Sequence, residues 1–222
     1  MLTVDTERLY RVKKKDLPQL QSVLTECFLE DPLYLKLIPE EGLRKVLLPK
    51  LFKSDLIEYF KECEIFADNE QLNSIVVVSD ESEVYNAISY YVTELIATIR
   101  TDGYLIKEDP SLKTLHNFIV GKDYLNSKWT DKLHDTKRLH IIYLAVRPSM
   151  RHQGISSHLL EELISYADLE GLMVSLETHN EANVPFYEHH GFEVYEKIKR
   201  HFGLTQYCLI RKHQTKQISR KI

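Results

Sequence analysis

The stretch Val146-Arg-Pro-Ser-Met-Arg151-His-Gln-Gly154-Ile-Ser156 decides how this chain is read. Before it, Leu139 to Val146 is a nearly continuous apolar run, the pattern of a buried strand. After it, Ile155, Leu159, Leu160, Leu163, Ile164 and Ala167 recur at helical spacing and predict a helix from Gly154 to Glu170. Gly171 stands where a helix commonly ends on a left-handed residue. The quoted residues are therefore the turn between a strand and an amphipathic helix. Unpaired N–H groups at such a helix start, with the helix dipole behind them, favour an anion. Gly154 lets backbone approach a phosphate closely, Arg151 adds positive charge, and small Ser156 keeps the first turn clear. A strand–turn–helix with one glycine is also a common packing unit, so the residues alone leave both readings open. No Gly-Lys-Ser/Thr follows, so the turn is not a P-loop, and the glycine triplet of a dinucleotide fingerprint is missing.

Working outward, Leu172 to Thr178 reads as a strand, Glu181 to His190 as a short helix ended by Gly191, and Phe192 to Lys197 and Gln206 to Ile210 as the last strands. This alternation implies an α/β core with some parallel pairing. Upstream, Arg8 to Val12 predicts a first strand. Asp16 is placed to cap a helix carrying Leu17, Leu20, Val23, Leu24, Cys27 and Phe28 on one face, and Asp31-Pro32 to end it. Glu41 to Glu62 is a second helical region in which Pro49 is expected to form a break or kink. Glu64 to Ala67 and Ser74 to Ser79 read as a hairpin around Asp68-Asn69-Glu70. Tyr85 to Arg100 reads as a helix closed by Asp102-Gly103, and Ser111 to Asp135 as one or two further helices. The basic tail from Arg211 is expected to fray.

Composition bounds the function. The chain has 222 residues and a net charge of −4, which does not point to nucleic acid as a partner. Cys27, Cys63 and Cys208 are odd in number and far apart, against a disulfide framework or a zinc ribbon and for a reducing compartment. No apolar run approaches the ~20 residues of a bilayer span, and the first residues lack an apolar signal core. A cytoplasmic protein without membrane or metal partners is expected.

Leu144-Ala-Val146-x-Pro148-x-x-Arg151-x-x-Gly154-x-Ser156 resembles the cofactor motif of the GNAT superfamily of acyl-CoA-dependent N-acetyltransferases, whose pattern is Gln/Arg-x-x-Gly-x-Gly/Ala. Ser156 is the departure, and it is small enough to fit. Downstream, Leu176-Glu-Thr-His-Asn180, then Tyr187 and Gly191-Phe192, is similar to the family's second signature. The two motifs together run from about Leu139 to Phe192. The likeness is close over most of 138–210, loose over 1–67 and slight over 85–135.

The resemblance implies a GNAT-like mixed α/β (α+β) central sheet flanked by helices, with an extra helical segment before the cofactor-binding strand. It implies one domain over 1–210, with an elaborated segment at about 83–136, an acetyl-CoA-binding core at 138–210 and a basic tail at 211–222. It also implies that main-chain N–H groups of His152, Gln153, Gly154, Ile155, Ser156 and Ser157 cradle the pyrophosphate of acetyl-CoA, beside Arg151. The main chain of Leu144, Ala145 and Val146 would line the pantetheine arm, and Asn180 would contact it. An amine, a small molecule or a peptide, would attack the thioester directly. A main-chain N–H of 144–146 would meet the oxyanion, and Tyr187 would protonate the departing thiolate. The alternative for Tyr187 is a ring packed against Phe186 and Phe192.

The base is open. His140 stands six residues before Val146, where some members of the family carry a Glu or His; it is either that base or a strand histidine bonded to backbone or solvent. Glu177 and His179 are rivals, with a Glu177 facing solvent beyond the sheet as the plain reading of that residue. The acceptor would enter near 28–38 and the region after Tyr85. Glu26, Glu30, Asp31, Glu40 and Glu41 gather there, either as an acidic mouth for cationic amines or as solvated helix ends. Homodimers are common in the family. Competing functions are an acyl-CoA-binding regulatory module without turnover and an N-acyltransferase using another acyl-CoA.

Overall fold

A computed structural model describes residues 8–80, 101–133 and 137–214. The expected helix over 85–100 and the end of the tail lie outside them. The chain begins with β1 (Tyr10–Arg11), α1 (Leu17–Phe28), α2 (Pro32–Leu37), α3 (Glu41–Glu62), β2 (Glu64–Ala67) and β3 (Ser74–Asp80). A helical stretch over 101–108, α4, and α5 (Lys113–Gly121) follow, then two 3-10 turns at Lys122–Tyr124 and Lys128–Lys132. The second half holds β4 (Arg138–Val146), α6 (Ile155–Glu170), β5 (Met173–Thr178), α7 (Val184–His189), β6 (Glu193–Lys199) and β7 (Thr205–Arg211). The strands form one sheet in the order β1-β2-β3-β4-β5-β7-β6. Among the described strands only β4 and β5 pair in parallel, as the helix between them requires.

Strand alternation splits the core over the two faces of the sheet. Ile75 and Val77 of β3 join α1, α2 and α3 on one face, while Val76 and Val78 join α6 on the other. On β4, Leu139 and Ile141 face α6. Val78 pairs with Ile141 and Val77 with Tyr143, so Ile142 is an extra residue, a β-bulge. The bulge resets the alternation. Tyr143 and Ala145 pack on the α1–α3 face and Leu144 on the α6 face. A third, smaller cluster of Trp129, Leu133, Met173, Cys208 and Ile210 closes the far end of the α1–α3 face.

Four expectations need correction. The helix α3 runs through Pro49 without a break. Its missing N–H costs one ladder bond inside the helix, and the Pro49 carbonyl separately accepts a hydrogen bond from Gln21 Nε2 at 2.9 Å. Asp31-Pro32 starts a helix as much as it ends one: the Asp31 carboxylate accepts from the Leu33 N–H at 2.9 Å and Pro32 fills the first helical position of α2. Asp16 does precede α1, but its carboxylate turns back to the Lys13 N–H (2.8 Å) and the Tyr10 hydroxyl (2.9 Å). Asp102-Gly103 lies within α4 rather than closing a helix, because the turn that ends α4 is built by Asp109, which accepts from Ser111 and Thr114.

Candidate active site

The bulge and the register of β4 create the site. β4 pairs with β5 only from Arg138 to Ile141, opposite Met173 to Leu176. Beyond Leu176, β5 continues against β7 alone, with Glu177 opposite Cys208 and Thr178 opposite Tyr207. From Ile142 to Val146, the β4 edge toward β5 therefore carries main-chain groups with no strand partner. An unpaired strand edge inside a fold accepts an extended ligand as an added strand. The Val146 carbonyl is already engaged, by Cys27 Sγ at 3.2 Å and Arg151 Nε at 3.3 Å, so Leu144 and the Val146 N–H offer the free part of this edge.

The turn quoted at the outset lies at the end of that edge. After a 3-10 turn at Pro148–Met150, His152 (φ +62) and Gly154 (φ +77) both adopt left-handed backbone. The first helical bond runs from the His158 N–H to the Gly154 carbonyl at 2.9 Å. No acceptor among the described residues takes the N–H groups of 152–157, so all six are available to an anion. A Cβ built on Gly154 would meet no atom within 4 Å, so the space above the helix start is open. Free donors, an unfilled cradle and the adjoining open strand fit a pyrophosphate with an extended arm. Arg151 is exposed beside them.

Tyr187 lies on α7, buried in the same apolar cluster as Leu144 and Ile155. Its ring packs against Phe186 (5.2 Å) and Phe192 (5.9 Å), and burial pushes its phenol well above the ordinary tyrosine value. The carboxamide oxygen of Asn180 caps the turn before α7, accepting from the Ala182 N–H at 3.1 Å, which leaves its NH2 group for a ligand.

His140 sits on the opposite face and is 4% exposed. Its Nδ1 meets Ser175 Oγ at 2.9 Å. Its Nε2 meets Ser127 Oγ at 2.8 Å and Glu177 Oε2 at 3.3 Å. Glu177 also accepts from Ser127 Oγ and from Trp129 Nε1, both at 2.8 Å. Glu177 thus does not face open solvent. Burial pulls its carboxyl upward, but His140, Trp129 and Ser127 together outweigh that and hold it below the usual range. His179 differs: its ring lies edge-on to Tyr124 at 5.6 Å, and burial lowers it to about 4, so it stays neutral at pH 7 and is a poor proton acceptor. Acid and base candidates therefore flank the open β4 edge from opposite faces of the sheet.

The acidic residues near α1 and α2 are largely spoken for. Glu26 pairs with Arg147, Glu30 with Arg44 (3.2 Å) and Glu41 with Lys45 (2.5 Å), while Asp31 caps α2. What sequence reasoning missed is Ser127 and Trp129, in the mixed stretch before β4, and Asp55 on α3. The lone tryptophan in a polar segment was the available signal for the first pair. Asp55, between Phe52 and Tyr59 on the buried side of a helix, was the signal for the other. No cluster of metal-ligating side chains occurs among the described residues, and none of their helices is long and apolar enough to cross a membrane.

A mixed sheet opened at its central parallel pair, beside a helix start with free N–H groups, is the architecture of an acyltransferase fold. The chain belongs to the acetyltransferase (GNAT) family, whose model matches residues 55–192. Solved structures share the fold at low identity. A protein of Corynebacterium glutamicum described as histone acetyltransferase HPA2 and related acetyltransferase is 15% identical, with 95% of this chain and 98% of that one covered and a TM-score of 0.61. The PaiA N-acetyltransferase of Thermoplasma acidophilum, solved with coenzyme A, is 12% identical, with 92% and 98% covered and a TM-score of 0.53. Arylalkylamine N-acetyltransferase 2 of Aedes aegypti is 11% identical, with 93% and 99% covered and a TM-score of 0.54. No curated protein sequence matches this chain.

Proposed function

We propose that this protein is an N-acetyltransferase that moves an acetyl group from acetyl-CoA to a primary amine by direct attack. The carrying observation is the continuity of the open β4 edge with the six free N–H groups of 152–157. Bound there, acetyl-CoA supplies the reactive thioester. Main-chain N–H groups of 152–157 hold its pyrophosphate, with Arg151 adding charge. The edge from Leu144 to Val146 aligns the pantetheine and offers an N–H to the developing oxyanion. Asn180 contacts the same arm.

Tyr187 donates its phenolic proton to the departing sulfur. Burial raises that phenol and keeps it protonated until the thiolate departs. His140, its Nε2 held by Ser127 and the ionised Glu177, takes on Nδ1, through the Ser175 hydroxyl, the proton that the amine loses. One N–C bond forms, one C–S bond breaks, and one proton moves to each side. The Aedes aegypti enzyme acts, by its name, on arylalkylamines, and the amine taken by this chain is left to its own pocket. A reducing, cytoplasmic setting suits the three free cysteines.

The test is thiol release from acetyl-CoA over a panel of amines, with wild type and Tyr187→Phe compared. Amine-dependent release that falls by about 10²- to 10⁴-fold in the variant is expected. CoA binding without release from any amine would favour a regulatory module, and release only from longer thioesters would change the acyl donor.

A further inference from the structure

On the α1–α3 face, next to the open half of β4, stands a carboxylate that the reaction above does not use. Asp55 Oδ2 accepts a hydrogen bond from the Tyr143 hydroxyl at 2.8 Å, and no cationic side chain among the described residues pairs with it. The Tyr143 ring is surrounded edge-on by Phe28 (5.5 Å), Phe52 (5.9 Å) and Tyr59 (5.9 Å), and Tyr34 packs on Phe28 and Phe52. Asp55, Phe28, Tyr59 and Tyr143 are each only partly buried. The bulge at Ile142 turns Tyr143 onto this face, one residue from Leu144 on the free edge. A molecule beside the Tyr143 ring would thus lie next to the place where the thioester is held.

We infer that Asp55, framed by Tyr143, Tyr59 and Phe28, receives the amine substrate as a cation that gives up one proton to solvent before it attacks, so that the acceptor is a small primary amine, protonated in solution, on an apolar or aromatic stem. This rests on the transferase reading and narrows it. A desolvated carboxylate attracts an ammonium strongly, and ring faces add cation–π attraction. The hydroxyl of Tyr143 aims the carboxylate and leaves Oδ1 for the ligand. Burial raises the Asp55 carboxyl to about 6, the condition of an anion waiting for a counter-charge.

The experiment is calorimetric titration of the full chain, saturated with CoA, with phenethylamine and with 2-phenylethanol, its uncharged counterpart. Asp55→Asn and Tyr143→Phe are titrated alongside, and thiol release from acetyl-CoA with phenethylamine is measured in parallel. Wild type is expected to bind the amine about 30-fold or more tighter than the alcohol. Asp55→Asn should abolish that preference with CoA affinity unchanged, and Tyr143→Phe should keep it. Equal binding of the two ligands by wild type, binding of neither, or an unchanged preference in Asp55→Asn would overturn the inference. If Asp55→Asn does not fold, the wild-type comparison alone decides. A clear preference for the amine with no thiol release from any amine of the panel would sustain the cation site and sink the transferase reading. Thiol release that ignores Asp55→Asn would do the reverse.

Discussion

Tyr143 and Asp55, 88 residues apart in sequence, meet in a 2.8 Å hydrogen bond that joins the open central strand to the long helix α3. Tyr34 of α2, Tyr59 of α3 and Tyr143 of β4 all face the carboxylate, and burial among them lifts its titration to about 6, the Tyr143 hydroxyl offsetting part of the rise. A carboxyl raised in the folded state favours folding below its unfolded value and loses that advantage as pH rises through the folded value. Asp55→Asn is therefore expected to melt higher than wild type at pH 7.5, by a free energy of at most about 3 kcal/mol. The gap should narrow between pH 6 and pH 4. Equal melting of the two at pH 7.5 would refute the account. A carboxylate that costs stability and meets no cationic side chain among the described residues suits a binding site.

Glu177 has the opposite sign. Its carboxyl lies below the usual range because His140, Trp129 and Ser127 prevail over burial. Its contribution is present at neutral pH and lost on acidification. Glu177→Gln sets an amide NH2 against donors from Ser127 or Trp129, and a cost of about 2–4 kcal/mol at pH 7 is expected. Chemical denaturation at pH 7 and pH 4 checks this, and the difference between variant and wild type should shrink at pH 4.

His140→Ala tests the base separately. The side chain is buried and held by Ser127, Ser175 and Glu177, so some stability is lost with it. The informative reading is kcat at saturating amine, expected to fall about 10²-fold or more with CoA affinity retained. A kcat within a factor of two of wild type would assign the histidine to packing alone.

Gly154→Ala separates backbone strain from ligand exclusion. At φ +77 an alanine costs about 1–2 kcal/mol, and its Cβ would point into space that is empty of protein. A melting point lowered by a few degrees, with CoA affinity lowered about 10-fold or more, is expected. Unchanged CoA affinity would move the pyrophosphate elsewhere.

Deleting Ile142 removes the extra residue of the bulge. Tyr143 and Ala145 stay on their face and Leu139 and Ile141 on theirs, because the alternation on both sides of the deletion already agrees. The chain is expected to fold, with β4 straightened toward β5. Loss of CoA binding from a folded deletion variant would tie the open edge to this one residue.

The sequence by itself determined the elements that depend on local patterning. The apolar run of β4, the 3.6-residue stripe of α6 and the left-handed glycine 171 that ends it can be read from spacing and backbone preference, and so can the family. It also pointed to Tyr187, His140 and the 152–157 turn as candidates. It did not reveal that α3 runs through Pro49, because the tertiary packing of a 22-residue helix outweighs one lost ladder bond. Only the tertiary structure decided which side chains meet. The bulge at Ile142 leaves little trace in an apolar run, yet it sets the face of Tyr143. Ser127 and Trp129 reach Glu177 from about 50 residues away, and Asp55 reaches Tyr143 from farther still. Periodicity reports which face of an element is buried. It carries no information about which distant element will cover that face, and the partners of a polar group in the core are set by that choice.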